Sequence, residues 1–509
     1  MKKHLHVEYI KYRKARNRKG KRDKYAAQSK GKATGNGTGH SGTDGTGKPS
    51  AAEDRPQHRF LLHQQTVRTA VQRKRRSSGS RTGSLVPYAV VGYLNEIRSE
   101  RRLEEEINYN FAYKWFCGLG LTEKAPDATT ISVNRTRRFR NNNIAEQIFQ
   151  EILRQAVEKK LVGGEILYTD STHVKAKANK HKKSTVTIEK SPKAYMDELD
   201  AAITADREAL SKKPFDKKDD EPPTTQIQQS KNDPESGQLH KEGKPDGFHY
   251  SEHRTVDSKN NIVVNVRITP ANVNDVDPVP DILDDIEKRL GHPPTYMGVD
   301  AGYHNAPTCH QIASWGIQPV VGYRRHTHKG ELFGENRFEY QKDRNVYLCP
   351  QKQELTWKTT NRSGYREYWS SSKVCKNCPY REQCISSSMT RRLVTRHVWQ
   401  DDLEQADAFT KTYNGKQFYA WRKQTIERSF AEAKELHGLR FARMLGIRNM
   451  YEQSFLTAAV QNMKRIAKAV LSFCFLFAHA KTPCLLLKTW CFSAVWSADQ
   501  CDRRVIIVW

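Results

Sequence analysis

The stretch "NIAEQIFQEILRQAVEKKLVGGEILYTD" constrains the chain most. Ile144, Ile148, Ile152, Leu153 and Ala156 fall on one face of a helix. Gly163 and Gly164 end it, and the apolar run Ile166, Leu167, Tyr168 follows. Helix, glycine turn and short strand in that order mark an α/β unit. The strand is expected to stop at Asp170, a lone carboxylate ahead of the basic segment "STHVKAKANK". Two readings of Asp170 are open. Asp-Ser-Thr is ordinary turn chemistry; the alternative is a metal ligand.

The pattern recurs at Asp300. "YMGV" reads as a strand, the acid ends it, and Gly302 permits a tight turn. Reactive groups gather at the carboxyl ends of strands in open α/β sheets. Two acids 130 positions apart could therefore meet at one sheet edge. A third lies in "YAWRKQTIERSFAEAKELHGLR". Ile426, Phe430 and Ala433 mark the buried stripe of a helix, and Glu427 sits beside it. The bland alternatives are a turn residue at Asp300 and a surface ion pair of Glu427 with Lys423 or Lys434.

Charge narrows the partners. The 509 residues hold 86 Lys+Arg against 57 Asp+Glu, a net +29. Such an excess points to a polyanion, nucleic acid before an acidic membrane surface. No signal-peptide pattern opens the chain, and the longest apolar run, "AVLSFCFLFAHA", is too short to span a bilayer unaided, so a cytoplasmic protein is expected.

Residues 1–85 combine basic clusters with a Gly/Ser/Thr tract and read as disordered. Residues 86–163 read as helical, with two helices before residue 120 and Asp127 and Thr129 as caps of the next. Arg135, Arg137 and Arg138 lie on that helix's basic face. Residues 180–246 are polar and read as a mobile insertion with one helix, "AYMDELDAAITADREALSKK". A hairpin follows, turning at residues 258–261, then a helix over "DPVPDILDDIEKRL". Asn272 and Asp275, in "TPANVNDVDP", are read as loop structure, and His173 as a structural neighbour of Asp170. Residues 471–509, with four Cys and three Trp, form an irregular tail.

"YTDSTHVKAKANK", "GVDAGYHN" and "YAWRKQTIERSFAEAKELHGLRFARMLG" together resemble the three acidic motifs of bacterial insertion-sequence DDE transposases, in the subgroup with a cysteine-bearing insertion before the glutamate. The resemblance covers roughly residues 87–470 and extends to "IRSERRLEEEINYNFAYKWFCGL" and "PDATTISVNRTRRF". It implies an α/β fold: a ribonuclease-H-like mixed sheet flanked by helices, over residues 164–321 and 416–470. A helical DNA-binding region would precede it, and residues 322–415 would form the inserted subdomain. By resemblance Asp170, Asp300 and Glu427 are the catalytic acids and hold two Mg²⁺ (or Mn²⁺) ions. Three hard carboxylates suit such ions, and two ions about 4 Å apart serve phosphodiester displacement.

The family's glutamate signature runs Tyr, two residues, Arg, three, Glu, six, Lys. Tyr419, Arg422, Glu427 and Lys434 fit it, except that four residues separate Arg422 from Glu427; Lys423 has the regular spacing. Tyr419, Arg422, Lys423, Lys434, Arg440, Lys175 and Lys177 are thus the expected DNA contacts, largely to phosphate. The implied activity is Mg²⁺-dependent cleavage at element ends and strand transfer into target DNA, by a homodimer assembled on two ends. The alternatives are a decayed copy that only binds DNA, and another nuclease of the same fold. Cys349, Cys375, Cys378 and Cys384 form an irregular zinc-ligand spacing, with four reduced thiols as the alternative. Cys117 and Cys309 read as single buried cysteines.

Overall fold

The computed structural model describes residues 85–135, 143–189, 195–215, 224–241, 246–323 and 332–479, with side chains to residue 469. The low-complexity segment before residue 85, Arg137, Arg138 and the tail after residue 479 lie outside the described residues.

Among the described residues, five helices precede the first strand: α1 (Val86–Leu94), α2 (Glu100–Tyr109), α3 (Phe111–Cys117), α4 (Ala128–Asn134) and α5 (Ile144–Glu158). Three helices, not two, precede residue 120. Asn110 breaks the run: it ends α2 in an extended conformation, and its side chain caps α3 by accepting from the Ala112 and Tyr113 amides. Asp127 caps α4 as its residue type suggests, accepting from Thr130 N–H. The α5 stripe buries Ile148, Ile152, Leu153 and Ala156, and Phe149 as well.

Eight strands form the main sheet: β1 (Ile166–Lys175), β2 (Lys183–Glu189), β3 (Thr224–Ser230), β4 (Gly237–Leu239), β5 (Gly247–Asp257), β6 (Val263–Pro270), β7 (Tyr296–Val299) and β8 (Gln318–Val321). Around β1 the order is β6-β5-β1-β7-β8. β6, β5 and β1 are antiparallel neighbours, and β7 and β8 run parallel to β1. This mixed sheet, flanked by helices, is consistent with the ribonuclease-H-like arrangement. Two features differ from the sequence reading. β1 does not stop at Asp170 but continues to Lys175, because β5 pairs with it residue for residue from Leu167 to Lys175. The polar stretch 180–246 is not simply a mobile insertion: it supplies β2, β3 and β4 as well as helix α6 (Met196–Ala209). Its strands carry Thr and Gln on exposed faces, so no apolar alternation announces them, as is common at a sheet edge.

Helices α7 (Val279–Leu290) and α8 (Ala306–Ser314) flank β7 in sequence. A second sheet, antiparallel throughout, holds β9 (Glu339–Gln341), β10 (Val346–Leu348), β11 (Glu354–Thr360), β12 (Tyr365–Trp369) and β13 (Leu393–His397). Two short helices, α9 (Ser372–Lys376) and α10 (Arg381–Cys384), interrupt it. Its core is small: Phe338, Tyr347, Leu355, Tyr368, Cys384, Ile385 and Val394. Arg366 of β12 clamps Asp206 of α6 with two hydrogen bonds of 2.7 Å.

The chain returns to the main sheet through α11 (Gln400–Lys411), α12 (Tyr413–Trp421), α13 (Ile426–Leu436) and α14 (Ile447–His479). Every residue of β5 is buried, polar ones included. Arg254 and Glu252, two apart on one face, pair with each other and meet Ser429 of α13 and Gln461 and Ser454 of α14. His253 and Arg267 point to the other face, where Arg267 pairs with Asp281 and Asp285 of α7. No helix among the described residues is long and apolar enough to cross a membrane.

Burial holds three histidines neutral: His437 down to about 3, His253 and His397 down to about 4. His437 Nδ1 lies 2.9 Å from the Tyr93 carbonyl and its Nε2 3.3 Å from Lys464 Nζ, joining α1 to α14. The unfolded chain takes up these protons first as pH falls below about 6.5. Each histidine should therefore remove about 1.4 kcal/mol of stability per pH unit between there and its folded value. Urea unfolding between pH 6.5 and 4.5 should show this loss, and His437→Gln should reduce the slope by one such unit.

Candidate active site

The register of β1 and β7 does the positioning. Leu167 pairs with Met297 and Tyr168 with Gly298. Two residues beyond the last pair come Asp170, still within β1, and Asp300, the first residue after β7, and Asp300 is close enough to act on the Asp170 carboxyl. The β7–β8 register, Gly298 with Val320, continues the row to Gly322. Asp300 caps the 3-10 turn Ala301–Tyr303, its Oδ1 accepting from Gly302 N–H at 2.8 Å. A Cβ on Gly302 would come within 3.0 Å of that oxygen, so glycine here serves close approach.

Tyr168, Asp170 and Thr172 project to one side of β1. Residues 413–436 lie across them in sequence order. Tyr168 Oη donates to the Phe418 carbonyl at 2.7 Å. Arg422 Nη2 donates to Asp170 Oδ2 at 2.6 Å. Lys434 Nζ donates to Thr172 Oγ1. Arg422 Nη1 also stands 3.9 Å from Oε1 of Glu427, in the first turn of α13. One buried guanidinium thus bridges the first and third acids. Ile426, Phe430 and Ala433 are buried as the stripe indicates, and Glu427 is half exposed beside them. Tyr419 stacks near Arg422, 5.6 Å from guanidinium carbon to ring centre, and its hydroxyl fills the space a Cβ on Gly322 would need.

Asp170 carries the electrostatic imprint of this crowding. Burial pushes its carboxyl up to about 6; Arg422 opposes that, while Asp300 and then Asp275 push it further. The ion pair is outweighed because desolvation of the carboxylate costs more than one partner returns. Asp275, read from sequence as loop, is therefore a neighbour of the acids; a lone acid in a turn-rich segment gives no periodic signal. Burial also lowers Lys434, with Arg440 adding to it.

The expected DNA contacts divide. Lys175, Lys177, Lys423 and Arg440 are exposed. Lys175 and Arg440 are brought side by side, since Lys175 N–H donates to the Arg440 carbonyl at 3.1 Å. Arg422, by contrast, faces carboxylates, and Lys434 faces Thr172. His173 lies 3.1 Å from Ser251 Oγ, as a structural residue would.

Among the described residues, no three His, Cys, Asp or Glu side chains stand at the spacing of one ion's ligands. The donor set of Asp170, Asp300 and Glu427 nonetheless fits a hard cation, and Arg422 supplies positive charge between two of them. In the second sheet, Cys349, Cys375, Cys378 and Cys384 are all free and line one cavity of about 280 Å³. Burial raises the Cys384 thiol; Arg392 opposes, and the other three cysteines add to the rise. Cys117 and Cys309 are single buried cysteines.

Residues 348–467 match the family model of a transposase DDE domain, and residues 61–137 match that of the transposase domain DUF772. The chain carries a DDE transposase domain. It is the domain of a phosphoryl-transfer enzyme, and DDE transposases use divalent metal ions. The match includes Glu427 and the four cysteines; Asp170 and Asp300 lie before it. No curated protein matches the chain. Among solved structures, the cryo-EM structure of the piggyBac transposase synaptic complex with hairpin DNA is similar at 8% identity and a TM-score of 0.26, over 88% of this chain and 84% of that one.

Gly298 lets the Tyr168 ring cross β7: an added Cβ would lie within 2.4 Å of it. Because Tyr168 also holds α12, Gly298→Ala should destabilise the protein by about 1–3 kcal/mol, read from chemical denaturation.

Proposed function

We propose that this transposase binds the ends of an insertion sequence and moves it by Mg²⁺-dependent cleavage and strand transfer, with Asp170, Asp300 and Glu427 holding two cations. The observation that supports this most is that parallel pairing of β1 with β7 leads to Asp170 within β1 and Asp300 just after β7, while Arg422 links Asp170 to Glu427 of α13. Bound there, divalent cations would neutralise charge and activate the nucleophile for displacement at phosphorus. Asp170, which meets both Asp300 electrostatically and Arg422 directly, would be the ligand common to the cations. Asp300 and Glu427 serve one side each, Asp300 aimed by its Gly302 hydrogen bond. With a cation compensating Asp170, the Arg422 fork would be free to take a phosphate. Lys175, Lys177, Lys423 and Arg440 hold the DNA backbone from the exposed surface, with Tyr419 and Lys434 nearer the acids. Two ends require two sites, hence a homodimer on DNA.

One observation favours a second reading, a copy that binds DNA without cutting it: Arg422 already neutralises Asp170. Labelled DNA carrying the element's termini separates the two. Catalysis predicts nicked and joined products with Mg²⁺, none with EDTA, and a loss of at least a hundredfold in Asp300→Asn. Binding without products supports the second reading, and cleavage unchanged by Asp300→Asn contradicts the site.

The Asp170 carboxyl, pushed up to about 6, sets a pH limit. Its protonation competes with cation binding, so divalent-ion affinity should hold above pH 7 and fall about tenfold per pH unit below 6. Calorimetric Mn²⁺ titrations at pH 7.5 and 5 check this.

The four cysteines of the second sheet are proposed to hold a structural Zn²⁺. All four line one cavity, and a bound Zn²⁺ would hold them as thiolates. The small core around them gains the support a metal gives. Protein purified without chelator should contain one zinc per chain, and cobalt exchange should give thiolate charge-transfer absorption. A zinc content near zero with four freely reacting thiols would contradict it.

A further inference from the structure

Nine buried side-chain polar atoms among the described residues have no hydrogen-bond partner. Three of them belong to Asp275, Tyr303 and Arg422, each of which interacts with Asp170, and a fourth, His253 Nδ1, is near Asp275 on the other face of β5. Native interiors pair nearly all such groups, so a concentration in one place marks a missing occupant rather than scatter. Tyr303 is 1% exposed and follows Asp300 by three residues, at the end of the same 3-10 turn. Its phenol is held well above its ordinary range, by burial first and then by Asp275, Asp170 and Asp300, with Arg422 pulling the other way. The buried hydroxyl feels three carboxylates and bonds to none of them. His253, 1% exposed on β5, lies near Asp275 from the other side, its Nε2 2.9 Å from Thr269 Oγ1. Asp275 therefore has a buried, unpartnered oxygen, and its charge reaches Tyr303, His253 and Asp170.

We propose that Asp275 is a fourth acid of the site, and that its free oxygen and the Tyr303 hydroxyl together orient a water carried by the cation. A hydroxyl and a carboxylate complement each other around a water, since one donates to it and the other accepts from it. Mg²⁺ keeps several of its waters, and such partners beyond the direct ligands tune affinity. This inference rests on the acid site proposed above and adds two residues to it.

The test is Mn²⁺ binding to full-length protein freed of metal, read by the EPR signal of unbound Mn²⁺, with the unfolding profile of each variant alongside. Asp275→Asn should weaken binding by about 10–100-fold, and Asp275→Glu should recover part of that loss. Unchanged affinity in Asp275→Asn, while Asp300→Asn binds weakly, would overturn the proposal and leave the acid site standing. Unchanged affinity in both would overturn the acid site itself, and this proposal with it. Should Asp275→Asn fail to fold, Tyr303 reports in its place. Mg²⁺ should perturb the tyrosine absorption of the wild-type chain, and Tyr303→Phe should abolish that difference. Absence of the perturbation in the wild-type chain would overturn the proposal.

Discussion

Arg254 and Glu252 have no exposed surface, and they tie three elements into one body. The guanidinium bonds Glu252 within β5, Ser429 in α13 and Gln461 in α14, and the second Glu252 oxygen takes the Ser454 hydroxyl at 2.6 Å. A buried pair of this kind adds little net stability over apolar residues of equal volume, yet loss of one partner strands a charge at a cost of about 3–5 kcal/mol. Its effect is on register. α13 can sit in few ways that leave Arg254 satisfied, and that seat puts Glu427 above the β1 row. Ser429 is two residues from Glu427, so the anchor and the acid move together.

On this frame the candidate site is a small negative island in a chain of net charge +29. Parallel pairing sets Asp170 beside Asp300, the 3-10 turn fixes the Asp300 carboxylate, and Arg422 holds the charges together. The effect of crowding is visible at Asp170, whose carboxyl burial drives upward despite an ion pair. A divalent cation relieves that tension better than one guanidinium, since it compensates several carboxylates at once. The exposed Lys175, at the end of β1, and Arg440, in the turn after α13, are joined through their backbones, where a phosphate chain could follow from the acids outward.

Much of this was legible in the sequence because local rules and tertiary context agree there. The α13 stripe, the Asp127 cap, the β7 strand before Asp300 and the turn between β5 and β6 all follow from periodicity or turn chemistry. The parts that were not legible share one cause: their structure is dictated by a distant neighbour. β1 runs past Asp170 because β5 offers it a full ladder. β2 and β3 are strands because each pairs the other, not because their residues alternate. Arg422 faces inward because Asp170, 252 positions earlier, is there to receive it. Asp275 joins the acids from a loop that has no pattern of its own.

The central claim is that Asp170, Asp300 and Glu427 share a divalent cation in place of Arg422. Anomalous diffraction from crystals of the full chain grown with Mn²⁺ tests it most directly. The account predicts manganese peaks within ligand distance of Asp170 and both other acids, with the Arg422 guanidinium moved off Oδ2. Arg422 still bonded to Asp170, and manganese bound elsewhere or not at all, would contradict it.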